Sequence, residues 1–297
     1  MMNKQKLKYI KHFVAIIVVI LFATVTLKAQ TGTFNAQYYT DRYLANPAMA
    51  GITNGWMLGL SHRSQWTSVD GAPTVQQITG EWRGNKTGIG LNLISDRAGL
   101  QRNFKAMATY SYHIPLNGNG IELHFGLSSG LVAQRLSAGD VRGDASDPLI
   151  AMYNQRAAYF DSDFGTGITI KNFEFEAAFP NLRNTFWQRQ KAVESVNTFY
   201  ITTSYKFQVA GSQIEPKFVF RGLKNSSDIW DAALQYSFVQ KQVKLMGVYR
   251  SSGTLGFGVG ADFMKNYTFN FYHNAQINAP LSSYTNGEFE LFLGMKF

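Results

Sequence analysis

From Glu288 to Phe297 the chain alternates with a period of two. Phe289, Leu291, Leu293, Met295 and Phe297 share one face; Glu288, Glu290, Gly294 and Lys296 share the other, with Phe292 the exception. A strand turns successive side chains to opposite sides, so this segment has one greasy face and one wet face. Thr254 to Phe263 repeats the pattern, setting Leu255, Phe257, Val259, Ala261 and Phe263 against Gly256, Gly258, Gly260 and Asp262. Ile121 to Leu131 sets Ile121, Leu123, Phe125, Leu127 and Leu131 against Glu122, His124, Gly126, Ser128 and Gly130. Phe199 to Val209 has a similar rhythm, with Thr203 on the apolar side. A soluble sandwich would have to hide every apolar face in a core. A closed barrel turns them to lipid and leaves no unpaired strand edge.

Fourteen segments read as strands, near 55–66, 73–83, 87–95, 102–114, 119–133, 164–171, 172–179, 198–208, 213–221, 228–238, 243–250, 254–262, 267–273 and 287–297. The expected fold is all-β: a single-chain antiparallel transmembrane β-barrel of about 14 strands. Tight joints such as Gly84-Asn85-Lys86, Lys171-Asn172 and Lys265-Asn266 alternate with longer ones at 67–72, 95–101, 134–163, 180–197 and 274–286. Short periplasmic turns and long external loops predict both termini in the periplasm.

Residues 1–29 read as a signal peptide. Lys4, Lys6, Lys8 and Lys11 precede a mostly apolar stretch, Phe13 to Leu27, too short for a typical membrane-spanning helix, and Ala29 marks the expected cleavage site. Residues 30–54 form an N-terminal periplasmic segment able to plug the lumen, and 55–297 the outer-membrane barrel. The signal carries five of the 28 basic residues and none of the 19 acidic ones, leaving a formal +4 on the exported part. That charge, without a dense basic block, excludes nucleic acid as a partner. With no cysteine there is neither a disulfide nor a thiol mechanism.

Several residues stand out as contacts or braces. Trp66 falls near the predicted outer rim, as an aromatic anchor or a cargo contact. Arg63 and Gln65 share the lumen face of their strand, where hydrogen bonding is expected. Asn46 and Pro47 fix a bend, and Gly51 permits a tight backbone path, so this motif reads as a barrel-mouth or plug brace. Asp96 and Gly99 belong to an outer turn in which Asp96 caps amides and Arg97 holds an acid. Asp140, Arg142, Asp144, Asp147, Tyr153 and Arg156 occupy one long loop. Arg183, Phe186, Trp187 and Arg189 occupy a second and mix aromatics with arginines, as protein interfaces do. Phe186 and Trp187 are the sharpest cargo-binding candidates, with Trp66, Arg183 and Arg189 beside them. His113 and His124 face each other across a hairpin as a polar lumen pair. No catalytic, cofactor or metal site is predicted, and the chain is not read as an enzyme.

The order Gln37-Tyr38-Tyr39, Asn46-Pro47-Ala48-Met49-Ala50-Gly51, His62-Arg63-Ser64-Gln65-Trp66, Ala72-Pro73-Thr74 and Ile94-Ser95-Asp96-Arg97-Ala98-Gly99, with the Glu-bearing last strand, resembles the PorP/SprF family. These are outer-membrane components of the type IX secretion system. The resemblance implies adhesin-like cargo captured through its C-terminal domain, as in gliding motility. It also implies contact with the secretion core or with the periplasmic ring and its accessory proteins, in a setting of outer-membrane lipids. A porin or small-solute transporter is the alternative, and predicts an open lumen.

Overall fold

The computed structural model describes residues 36–116, 120–140, 147–183, 196–224, 227–238, 240–277 and 286–297. Fourteen antiparallel strands close on themselves. They are β1 Gly55–Gln65, β2 Thr74–Gly84, β3 Thr87–Ala98, β4 Gln101–Leu116, β5 Ile121–Leu136, β6 Tyr159–Ile170 and β7 Phe173–Phe179. The rest are β8 Val196–Tyr205, β9 Ser212–Lys224, β10 Ile229–Phe238, β11 Val243–Arg250, β12 Thr254–Phe263, β13 Tyr267–Gln276 and β14 Glu288–Lys296. Phe207–Val209 continues β8 after a break at Lys206, and both pieces pair with β9. Each strand pairs with its neighbours in sequence. The seam is β1 against β14, from Met57 opposite Lys296 to Gln65 opposite Glu288.

The alternation becomes an inside and an outside. Leu58, Leu60, Phe257, Val259, Leu291 and Leu293 are exposed, whereas Arg63, Gln65, Ser128, Asn270 and Glu290 are buried within the ring. The hydrocarbon thus meets side chains without charge, and every strand finds backbone partners on both sides.

The two rims differ. At the turn rim lie the hairpins between β2 and β3, β4 and β5, β6 and β7, β8 and β9, β10 and β11, and β12 and β13, together with Phe297. At the loop rim, 137–158 carries the helix α1 Pro148–Asn154, capped by the Asp147 carboxylate accepting from the Leu149 N–H at 2.8 Å. Two joints are markedly shorter than the alternation predicts. β5 runs on to Leu136 and β6 begins at Tyr159, so that loop loses several residues to strand. β3 extends to Ala98, so Ser95–Ala98 are not the polar outer turn expected; only Gly99 and Leu100 turn the chain. Polar residues in this region still ladder because cross-strand pairs such as Asp96 with Asn103 satisfy the backbone outside the apolar band.

Residues 36–51 lie inside the ring, and 52–54 lead out to β1 at the turn rim. Three 3-10 turns, Gln37–Tyr39, Arg42–Leu44 and Pro47–Met49, succeed one another, and Asp41 and Asn46 cap the second and third. The described part of this inner segment is not confined to the turn rim, where the sequence reading placed it. Ala36 lies near the loop rim, and the chain descends from there to Gly55. Alternation fixes the wall but carries no information about the path of a preceding segment.

Candidate functional site: a filled lumen beneath a loop rim

The inner segment is held at three levels. Near the loop rim, the Ala36 N–H donates to both Glu290 carboxylate oxygens at 3.0 and 3.1 Å, and the Asn274 amide donates to the same carboxylate at 2.7 Å. The Tyr38 hydroxyl donates to Asp231. Asp231 also accepts from Arg221 at 2.8 and 2.9 Å and from Arg250 at 3.0 Å, with all three buried. Tyr38 stacks on Tyr39 at 4.6 Å between ring centres and meets the edge of Tyr200 at 5.9 Å. Val219, Met246, Val248 and Tyr272 complete an apolar nest around them. Next to this cluster, Gln65 donates to Glu288 at 2.5 Å and Arg63 pairs with it at 3.4 Å.

Halfway down, the Arg42 guanidinium bridges Glu176 at 2.7 Å and Glu174 at 3.1 Å. Lys206 reaches Glu174 at 2.6 Å from the other side. Asp41 accepts from the Thr79 hydroxyl at 3.1 Å, and the Tyr43 and Thr109 hydroxyls share a hydrogen bond of 2.6 Å. Charges buried in a lumen are tolerable only when paired in this way.

Lower still, the turn from Asn46 to Ala50 sits directly on the wall. Asn46 accepts from the Ala48 N–H at 3.0 Å and donates to the Thr166 carbonyl at 3.1 Å and to Glu176 at 3.2 Å. Gly126 and Gly165 make this approach possible. A Cβ on Gly126 would stand 2.3 Å from the Pro47 carbonyl carbon, and one on Gly165 would stand 1.9 Å from the Asn46 side-chain oxygen. The Ala50 carbonyl accepts from Ser111 at 2.6 Å and from His113 Nε2 at 3.0 Å. Gly51, at φ 68°, donates its N–H to Glu81 at 2.6 Å. His113, Glu122 and His124 bring one ligand atom each to within 4.8 Å of one another. The protein network accounts for these groups: Glu122 pairs with Arg83 at 2.5 Å, and the two rings hydrogen-bond to each other.

A small cleft lined by Tyr39, Glu215, Lys217, Ala233, Gln235 and Met246 lies beside the segment, with room for about one water molecule.

The predicted contact residues separate into two groups. Asn46, Pro47, Gly51, Arg63 and Gln65 are all buried in the lumen, Arg63 and Gln65 near the loop rim and the other three towards the turn rim. Of the others, the described ones, Trp66, Asp96, Gly99 and Arg183, lie at the loop rim. Trp66, half-buried at φ 47°, donates its N–H to the Gly287 carbonyl at 2.9 Å. Arg183 lies 4.2 Å over the Tyr159 ring, and its backbone N–H donates to Asp161 at 3.1 Å. The Gly99 N–H donates to the Gly71 carbonyl at 2.9 Å, and Arg97 and Arg102 both reach Asp140. A hydrogen bond from Ser137, helped by these two arginines, holds the Asp140 carboxyl below its ordinary range. Phe186, Trp187 and Arg189, like Arg142 and Asp144, lie outside the described residues.

The sequence reading missed the Asp231, Arg221, Arg250 and Tyr38 cluster and the bridge from Arg42 to Glu174 and Glu176. Inward parity marks each charged wall residue in the sequence. Their convergence depends on strand register and on a segment outside the pattern.

Residues 27–295 match the family described as type IX secretion system membrane protein PorP/SprF. The chain belongs to the PorP/SprF family. It is therefore an outer-membrane barrel associated with that secretion system, and it is not an enzyme. No curated protein gives a significant match. Among solved structures, it is similar to the monoaromatic hydrocarbon channel CymD, with a TM-score of 0.53, 11% identity, and coverage of 91% of this PorP/SprF chain and 95% of that one. It is similar to the Ralstonia pickettii toluene transporter TbuX at 0.53 and 10%, covering 86% and 93%. It also resembles the Pseudomonas putida toluene transporter TodX at 0.50 and 9%, covering 89% and 93%. At such identities these likenesses concern the barrel fold alone.

Proposed function

We propose that this PorP/SprF protein captures secreted, adhesin-like cargo by the cargo's C-terminal domain and retains or guides it at the cell surface. One observation carries the adaptor reading over the conduit reading: the lumen is occupied by the chain's own residues, pinned from Glu290 and Asp231 down to Glu81. A folded domain has no path through such a ring. Cargo would cross through a separate translocon and meet this barrel outside. The secretion core, or the periplasmic ring with its accessory proteins, is the second expected partner.

In this reading the loop rim faces outward and the turn rim, with Phe297, faces the periplasm. The long-loop and short-turn asymmetry supports that orientation. The cargo surface is assigned to Trp66, Arg183, Phe186, Trp187 and Arg189, because aromatics beside arginines provide buried anchors and directed hydrogen bonds.

Cross-linked pull-down from intact cells tests this directly. Recovery of a cargo C-terminal domain is expected, with loss of capture in the Phe186→Ala/Trp187→Ala double variant. Unchanged capture by a correctly folded double variant removes that site from the proposal. Recovery of periplasmic ring components alone favours an assembly role. The porin alternative requires conductance after reconstitution of the wild-type protein.

A further inference from the structure

The turn rim carries a charge pattern that the fold itself does not use. Lys86, Lys171, Lys241 and Lys265 are exposed, one on each of four hairpins, and none forms an ion pair among the described residues. The hairpins 85–86, 117–120, 171–172, 210–211, 239–242 and 264–266 contain no Asp or Glu. Nearby strand acids are engaged with other cations: Glu122 with Arg83, Glu174 with Lys206 and Arg42, Glu215 with Lys217, and Asp262 with Lys244. The loop rim, by contrast, mixes Asp70, Asp96, Asp140 and Asp147 with Arg97, Arg102 and Arg156.

Backbone geometry adds a second, independent observation. Lys171, Lys241 and Lys265 have φ values of 55°, 70° and 63°. This left-handed region suits glycine or asparagine and disfavours a residue with a long side chain. At the same rim Gly120, Gly211 and Asn85 occupy it in the ordinary way, at 72°, 84° and 57°, and Ala210, Gln240 and Met264 share it at 45°, 55° and 51°. Three turns thus hold a lysine where a cheaper residue fits, with no ion-pair partner among the described residues in return.

The surroundings indicate the ligand. Met264, adjacent to Lys265, is 81% exposed, and Phe263, Tyr267, Phe207, Trp56 and Phe297 are exposed along the same edge. Ammonium groups beside an aromatic and apolar border are placed where acyl chains give way to headgroups. The four lysines also lie on the hairpins joining β2 to β3, β6 to β7, β10 to β11 and β12 to β13, spread around the ring. A lipid annulus touches all of them, whereas one facet of a protein touches a few. We propose that the turn rim is a phospholipid-selective belt, in which these lysines bind headgroup phosphates and gather anionic phospholipid around the barrel.

The test is full-length barrel reconstituted into phosphatidylcholine nanodiscs containing a minority of phosphatidylglycerol, with retained lipid counted by native mass spectrometry. Wild type is expected to retain phosphatidylglycerol above its bulk share, less so at high salt. The Lys171→Asn/Lys241→Gly/Lys265→Gly variant should lose that enrichment by about threefold or more, and the matching triple arginine variant should keep it. In neutral detergent the melting point of the glycine-bearing variant should hold or rise, because the left-handed strain is relieved. No enrichment in wild type, or equal enrichment in both proteins, overturns the proposal. So does a lower melting point in neutral detergent, which would assign the lysines to the fold.

Discussion

The imidazole Nδ1 atoms of His113 and His124 stand 2.8 Å apart, across the hairpin that joins β4 to β5. His113 Nε2 donates to the Ala50 carbonyl, which can only accept, so in the neutral ring its Nδ1 is the acceptor. His124 then donates from Nδ1 and accepts at Nε2 from the Thr169 hydroxyl, 3.0 Å away. A single directed chain of hydrogen bonds runs from β6 through both rings to the inner segment. His124→Leu removes its middle link and should cost about 1–3 kcal/mol. A lowered guanidinium midpoint in detergent micelles is the expected reading, and an unmoved midpoint refutes the chain.

Asp231 is shared by two arginines and a tyrosine. Asp231→Asn takes the common carboxylate from Arg221 and Arg250 and should destabilise the barrel by about 3–5 kcal/mol, the cost of breaking a buried pair from one side. Tyr38→Phe removes one hydrogen bond to a charged group and should cost about 1.5–3 kcal/mol. Chemical unfolding of both variants checks the order. A larger loss for Tyr38→Phe than for Asp231→Asn would place the anchor on the tyrosine hydroxyl instead.

Gly126 is the floor on which the Pro47 turn rests. Gly126→Val puts side-chain atoms into space already taken by backbone, where no rotamer gives relief. The inner segment should leave its seat while the hydrogen-bonded wall persists. Planar bilayer recordings should then show conductance steps absent from the wild type, with the far-ultraviolet strand signal unchanged. A silent variant with intact strands would show that the segment keeps the lumen closed without that seat.

Asp140 ties the long loop back to Arg97 and Arg102. Its carboxyl is held below the ordinary range, so the contact is present above that range and is lost only as pH falls through the depressed value. Protease nicking within 137–158 should stay constant from neutral pH down to the usual carboxylate range and rise only below it. A rise already near neutrality would contradict the assignment.

The wall was legible because its chemistry has one period. The strands from Thr254 and from Glu288 fall where alternation puts them, and even the exception is regular: Phe292 keeps inward parity and covers Gly59 and Gly294 from within. Strand ends were less legible. At Ser95–Ala98 and Tyr159–Asp163 the chain has left the apolar band, so polar residues ladder without an alternation to mark them. The lumen was legible only as a set of inward charges. Which of them meet is set by register across three strands, as for Arg221, Asp231 and Arg250, and by Tyr38 arriving from outside the pattern.

The inner segment also has a mechanical meaning. It continues into β1, and β1 is one side of the seam that closes the cylinder. A pull on its upstream end meets resistance in series: the carboxylates at the mouth, then the bridged guanidinium of Arg42, then the proline turn wedged against glycine. Tension reaches the seam last. The arrangement works like the strain relief on an electrical cable, shielding the joint whose failure would open the whole sheath.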